Sequence, residues 1–422
     1  MLMTRSNHGE LASQAARGPA RSAIVIGAGV VGLASAYALA RRGLAVTVIE
    51  SREAPGCEAS FANGAQLSYA YSDALASPAL LRHVPAVLLG LDPAVRFKPS
   101  LDPDHLIWLL RFLRNTSASR FMANTLAALR LGLESQTAMH ALLERHSLDF
   151  SHAAAGKLHL HANGESLASA RRMVTAKVAL GARQEVLTPA EAVQLEPALV
   201  GHGPFAGAIY TPGDEVGDPH RFCTQLAALL AADYGAVLRM GTTVQDLGEE
   251  RGEAWVQTST GERIAADRIV ICAGIGAAGL ARRFGLRGVL MPMKGYSFTA
   301  PAGPAELRVS VTDVARKIVL CRLGDKVRVA GLAEIGARST AVDPAALERL
   351  RRGAQASLPD VAVYDRIGPG WAGIRPMTAN CLPRIERVSA RCAINIGHGM
   401  LGWTHAMGSA ERLAKVIMEK VA

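Results

Sequence analysis

Ser22-Ala-Ile-Val-Ile-Gly27-Ala-Gly29-Val30-Val31-Gly32 opens the folded part of the chain, and Glu50 closes the apolar run that follows. The pattern predicts a strand over 23–26, a glycine turn, an Ala- and Leu-rich helix over 30–42 and a second strand over 45–49. Each part has a chemical task. Gly27 permits the tight turn, Gly29 lets the backbone approach a pyrophosphate, and Gly32 lets the helix pack close to the strand. Val30 and Val31 lie in the first helical turn, whose free amides and partial positive charge favour phosphate. Glu50 stands about 20 residues on, where an acceptor for a ribose 2′-hydroxyl belongs. The unit predicts a bound dinucleotide.

The chain has 422 residues, a length that suits two or three domains. Hydrophobic residues make up 50% and charged residues 19%, which fits a globular protein with a large core. The net charge of +10 favours anionic partners, yet the arginines are scattered. No basic run interleaved with aromatics appears, so a nucleic-acid role is not expected. Cys57, Cys223, Cys272, Cys321, Cys381 and Cys392 form no CxxC pair and read as thiols of a reducing compartment. His159 and His161 share one face of a strand without an accompanying Cys or acid cluster, so no metal site is expected. Residues 1–21 lack the apolar core of a signal peptide and read as a disordered tail. No apolar run reaches the ~18 residues of a membrane span. These features place the chain in the cytoplasm. The apolar segment 105–113, with Trp108 and Arg111, also suits a helix lying peripherally on the cytoplasmic face of the inner membrane.

The α/β pattern opens the chain, returns in the middle and ends it. Helical patterning covers 104–146, 165–181, 218–233, 343–357 and 402–420. Strand signals fall at 156–161, 206–210, 235–264, 268–273, 289–299, 307–312, 317–322, 327–332 and 391–396. The fold class is therefore α/β: a Rossmann-like cofactor domain in pieces (22–80, 205–285 and 370–422) with an inserted α+β substrate domain (81–204 and 286–369) holding a mixed or antiparallel sheet.

Gly274-Ile-Gly276-Ala-Ala-Gly279 repeats the glycine spacing after a strand, but Lys294 to Ser297 stand where an acid would be needed. Ala273 and Gly274 are better read as a second backbone contact to the first dinucleotide. The electron acceptor is then a quinone, another carrier or oxygen rather than a nicotinamide.

Several ordered blocks resemble the FAD-dependent D-amino acid dehydrogenase small subunit, of the D-amino acid oxidase/glycine oxidase superfamily. They are the first glycine motif, Ala62-Asn63 with Gln66, Gly213-Asp-Glu-Val-Gly217-Asp218, Lys294-Gly-Tyr296-Ser, Gly373-Ile-Arg375-Pro-Met-Thr378, and Gly397-His398-Gly399-Met-Leu401-Gly402-Trp-Thr. The resemblance runs from residue 22 to the C-terminus. It implies FAD, oxidative deamination of D-amino acids to 2-oxo acids and ammonia, and electron transfer to a membrane quinone pool. Ala62, Asn63, Gly64 and Gln66 would line the flavin. Gly397, His398, Gly399, Leu401 and Gly402 would bring helix amides to its N1/C2=O edge, where negative charge develops on reduction. Some superfamily members attach flavin to a Cys near the Arg375 block; Gly373 holds that position here, so non-covalent FAD is expected.

Arg375 is the substrate candidate, since an α-carboxylate suits a planar bidentate guanidinium and similar superfamily blocks use an Arg for this task. Tyr296 and Tyr71 are candidates to close the pocket, and His398 to place charge beside the flavin. After Thr378 the family continues Pro-Asp-Gly, whereas this chain has Ala379-Asn380-Cys381, and Glu386 replaces a glycine. A hydride passing from Cα to FAD needs no obligatory base if the amine enters neutral. Two alternatives remain at this stage: a secondary or cyclic amine substrate (D-proline, hydroxy-D-proline or sarcosine), and a non-catalytic flavin-binding subunit.

Overall fold

In the computed structural model, which describes residues 21–419 apart from 79, 82, 83, 85, 86, 88–91, 93 and 251, the opening strand Ser22–Ile26 lies between two parallel neighbours. These are Ala45–Ile49 on one side and Arg268–Ile271 on the other. Val237–Arg239 and Cys392–Ile396 extend the sheet in parallel, and Arg384–Arg387 closes it antiparallel. Parallel strands covered on both faces read as unbroken apolar runs, which is why alternation is absent here. Ala23, Val25, Val46 and Val48 face a core shared with the helices Val30–Ala40, Ala118–Arg145, Pro219–Tyr234 and Gly402–Met418. Ile24, Ile26, Ile269 and Ile271 face a second core with the antiparallel strands Val244–Glu250, Glu253–Thr258 and Arg263–Ala266.

The second layer is a nine-stranded mixed sheet. Its path runs Trp371–Met377, Met291–Pro301, Lys326–Ile335, Ile318–Leu323, Ser310–Asp313, Lys157–His161, Gly207–Thr211 and Glu185–Leu187, with Val95–Phe97 paired to Lys326–Ile335. Most pairings are antiparallel; Ser310–Asp313 with Lys157–His161, and Val95–Phe97 with Lys326–Ile335, run parallel. One face packs Leu158, Leu160, Phe298, Leu320 and Val329 against the helix Pro344–Ser357. The other face meets the cofactor part.

This architecture is the expected one, but three local readings change. Gly207–Thr211 and Trp371–Met377 hydrogen-bond into the larger sheet, although the sequence division put both with the cofactor domain. Pro376 hides the second of these from sequence reading, because proline is tolerated only on an edge strand, which this one is. The long helical stretch is two helices, Pro103–Arg114 and Ala118–Arg145, separated where Thr116 Oγ1 bonds back to the Leu113 carbonyl at 2.8 Å. Trp108 faces inward: it is 3% exposed, and its Nε1 donates to the Met377 carbonyl at 2.8 Å. The exposed apolar stripe of that helix is instead Leu106, Leu110 and Leu113. Among the described residues no helix is long and apolar enough to cross a membrane. The tail reading for residues 1–20 lies outside the described residues.

Candidate functional site

The glycine turn is shaped by contacts that exclude side chains. Gly27 has a φ of +108°, and a Cβ there would lie 2.7 Å from the Cys272 carbonyl oxygen. A Cβ on Gly32 would stand 1.8 Å from the Gly27 carbonyl oxygen. Gly29 differs: its only close neighbour would be Ser60 Oγ at 3.2 Å, so its surroundings are open on the ligand side. Gly29 caps the helix Val30–Ala40 with no side-chain hydrogen bond. The Val30 amide donates to Ser60 Oγ at 3.2 Å, while among the described residues the Val31 and Gly32 amides have no acceptor. Free amides at a helix N-terminus fit a diphosphate. Glu50, 9% exposed, accepts from Ala28 N at 2.7 Å and Arg52 N at 2.9 Å. It therefore braces the turn itself, and a carboxylate has lone pairs left for ribose hydroxyls. Ala273 also touches this turn, its Cα 3.2 Å from where a Gly27 Cβ would be. The glycine motif beginning at Gly274 leads only into a short 3₁₀ turn and the five-residue helix Ala277–Ala281, too little to cradle a second dinucleotide.

Residues 62–66 are clamped onto the larger sheet. Ser297 Oγ donates to the Ala62 carbonyl, Arg328 Nη1 to the Asn63 carbonyl at 3.0 Å, and Cys321 Sγ to the Gly64 carbonyl at 3.4 Å. Gln66 Nε2 bonds Ser310 Oγ. Asn63 serves the turn, its Oδ1 accepting from Ala65 N at 2.9 Å, while Ala65 takes a φ of +56°. Arg328 and Ser310 escaped sequence reading, and Ser297 entered it only as the last residue of the Lys294-Gly-Tyr296-Ser block. Their contacts span more than 230 residues of chain, and no local pattern records them.

Arg375 lies on the edge strand, directly opposite Met293. Burial pulls its pKa down to about 10, so it stays charged at neutral pH. Among the described residues its side chain makes one hydrogen bond, a long one of 3.4 Å from Nη1 to the Leu332 carbonyl, and no carboxylate pairs with it. A half-buried guanidinium without a counterion is left with an open partner, which a ligand carboxylate can supply. Gly295 makes the room: a Cβ there would fall 2.2 Å from Arg375 Nη2. The useful residue of the Lys294-Gly-Tyr296 block is thus the glycine. Two residues beyond Arg375, Met377 forms a β-bridge with His398. The arginine strand therefore abuts the block Gly397–Gly402, which opens the last helix without a side-chain cap.

The remaining candidates separate. Tyr296 points to the other face of its strand, into the core with Leu350, and its hydroxyl donates to Glu334 Oε1 at 2.7 Å. It is not beside Arg375, because successive strand residues alternate faces. His398 Nε2 bonds Ser409 Oγ at 2.9 Å, and burial pushes its pKa down to about 3. It is neutral, so it brings no charge to the site. Tyr71 stacks on His159 with ring centroids 3.3 Å apart, in a polar cluster beyond Gln66. Glu386 pairs with Arg384, and Asn380 Oδ1 accepts from Leu382 N at 3.3 Å, so the altered segment keeps its turn. Cys381, where the family has glycine, has a φ of +63°.

The profile of the FAD dependent oxidoreductase family matches residues 22–416. The chain is 39% identical over 408 residues to "D-amino acid dehydrogenase 2" of Ralstonia nicotianae, covering 94% of this chain and 96% of that one. It is 40% identical over 403 residues to "D-amino acid dehydrogenase 2" of Pseudomonas aeruginosa, covering 94% and 95%. Its fold superimposes on the crystal structure of glycine oxidase from Geobacillus kaustophilus with a TM-score of 0.75 at 24% identity, covering 95% and 96% of the two chains.

Proposed function

Because the chain belongs to the FAD-dependent oxidoreductase family, with FAD as its cofactor, we propose that it oxidises D-amino acids to 2-oxo acids and ammonia. The Arg375 guanidinium, without a carboxylate partner among the described residues and on a strand that abuts the Gly397–Gly402 block, is the observation that carries this reading. Charge-assisted hydrogen bonds of this type contribute about 1.5–3 kcal/mol each, and a two-point grip fixes orientation as well.

The first turn of the helix Val30–Ala40 would hold the diphosphate of FAD, and Glu50 would hold its adenosine ribose. FAD supplies the two-electron acceptor for the hydride leaving Cα. The chain's own residues bind and aim the substrate. Arg375 holds the α-carboxylate, Gly295 keeps the guanidinium in place, and the loop 62–66, pinned by Arg328 and Ser297, sets the depth of the site. The substrate amine loses its proton before or during transfer, and water hydrolyses the resulting imino acid. The protein's contribution is positioning and electrostatics rather than acid–base chemistry, which agrees with a neutral, tethered His398.

The acceptor is a quinone, another non-nicotinamide carrier or oxygen, a reading supported by the single dinucleotide cradle found among the described residues. The stripe Leu106, Leu110 and Leu113 supports contact with a membrane surface that holds such a quinone. Leu110→Glu abolishes sedimentation with anionic vesicles if that contact exists; wild-type protein that ignores vesicles removes it. Trp108 is unsuitable for this test because it is core.

The activity is tested by steady-state oxidation of D-alanine, D-proline, hydroxy-D-proline isomers and sarcosine with an artificial acceptor, with assay of 2-oxo acid and ammonia. The proposal predicts turnover of primary D-amino acids. Turnover of sarcosine or D-proline alone replaces it.

A further inference from the structure

On the strand Trp371–Met377 the residues Trp371, Gly373 and Arg375 share one face, while Ala372 turns into the core on the other. The neighbouring strand sets Ser297 opposite Trp371, Gly295 opposite Gly373 and Met293 opposite Arg375. Two glycines are thus directly paired, and that row of the sheet carries no side chains of its own. Its neighbours cover it. A Cβ on Gly373 would lie 2.2 Å from Cη2 of Trp371, just as one on Gly295 would lie 2.2 Å from Arg375 Nη2. The indole therefore lies across one glycine and the guanidinium across the other, on residues that cross-strand pairing holds about 5 Å apart. Together they form a platform that is apolar at one end and cationic at the other.

This platform lies on the face that carries the loop 62–66, because Ser297, directly across from Trp371, donates to the Ala62 carbonyl. Trp371 is half-buried, and among the described residues no ring stacks on it and its Nε1 has no acceptor. Trp108 and Trp403 differ: both are buried, and their Nε1 atoms donate to the Met377 and Gly217 carbonyls. A large indole left part-open beside a charged group is the material of a ligand wall. The far side of Arg375 is closed, since Met293 and Met377 are each 2% exposed and packed with Trp108. Of the apolar side chains flanking Arg375 on this face, Trp371 is the one that keeps an open surface.

We propose that Trp371 reads the substrate's side chain: with the α-carboxylate on Arg375, the side chain lies on the indole, which selects apolar D-amino acids over polar ones of the same shape. The assignment rests on the D-amino acid reading above. Gly373 belongs to the arrangement, because a side chain there would lift the indole off the sheet. Removing about 55 Å² of apolar surface from water, at about 25 cal/mol per Å², is enough for a tenfold preference.

The test compares D-leucine with D-asparagine, near-isosteres that differ in polarity, on the FAD-loaded enzyme. The expected ratio of kcat/KM is at least about tenfold in favour of D-leucine, falling to within about threefold of unity in Trp371→Ala and staying above about fivefold in Trp371→Phe. A merely structural tryptophan would lower both substrates together and leave the ratio unmoved. Should Trp371→Ala fail to load FAD, Trp371→Gln, which keeps bulk without the apolar face, carries the same expectation. A second readout uses 4-methylpentanoate and succinamate, the same pair without an amine to oxidise: on wild-type protein the first perturbs the flavin spectrum with a Kd at least about tenfold below that of the second. Equal kcat/KM or equal Kd within the pair in wild type, or an unchanged ratio in the variant, overturns the assignment. D-Alanine separates the two levels of failure: if it is oxidised and D-leucine is not preferred to D-asparagine, only the side-chain assignment falls, and if no D-amino acid reduces the flavin, the parent reading falls with it.

Discussion

The two ends of the site are built from different materials. The proposed diphosphate end is made of backbone: Gly27 and Gly32 leave no room for a Cβ, and the Val31 and Gly32 amides, without an acceptor among the described residues, are the groups offered to a phosphate. The substrate end is made of a side chain held in a costly state: Arg375, charged and without a carboxylate partner among the described residues. A backbone cradle is encoded within some 30 residues of sequence. A side-chain pocket is assembled from segments more than 200 residues apart, the loop 62–66 and the strands that pin it, so a single substitution can unmake it without touching the first.

Gly29→Val tests that independence most strongly. Gly29 has a φ of −77° and open space on its ligand side, so valine is accommodated in the fold but occupies the approach of the diphosphate. The protein is expected to purify folded and colourless, with FAD affinity reduced at least about 100-fold by fluorescence titration. Gly32→Ala, in contrast, collides with the Gly27 carbonyl and lowers the melting temperature as well. At the other end, Arg375→Leu keeps the flavin spectrum while kcat/KM for D-alanine falls about 10³-fold, the loss of roughly 4 kcal/mol in charge-assisted bonds. Gly295→Ala acts on the same guanidinium by displacing it. A rise in KM of about 10- to 30-fold is expected in steady-state assays, with little change in the melting curve.

His398 gives a smaller effect with a defined sign. Its folded pKa of about 3 lies below the unfolded value of about 6.5, so at acid pH the unfolded chain takes up a proton that the native state refuses. Its contribution to stability is complete above pH 6.5 and is lost as pH falls toward 3. Urea unfolding at pH 7 and pH 5 is expected to show wild type losing about 2 kcal/mol more than His398→Gln. Cys381→Gly relieves a left-handed residue and is expected to stabilise by about 0.5–1 kcal/mol in the same assay.

The contrast between the two ends also explains what the sequence disclosed. The strand–turn–helix–strand unit and Glu50 were legible because glycine spacing and apolar runs are local, and the strand over 45–49 matches the observed Ala45–Ile49. Arg375 was legible as a charged residue in a resembling block, but its strand was not, because Pro376 argues against one unless the edge position is known. Tyr296 and Trp108 were misplaced for the same reason: a residue's type does not say which face of a strand or helix meets the core. Gly295 and Arg328 left no local signal, since their importance comes from what tertiary packing sets opposite them.

The central claim is that FAD and a D-amino acid meet between these two ends. Anaerobic mixing of the purified yellow protein with D-alanine, against L-alanine as control, tests it most directly by following the visible flavin absorbance. The account predicts full bleaching by D-alanine, none by L-alanine, and loss of the fast phase in Arg375→Leu. A flavin that stays oxidised with every D-amino acid tried contradicts it.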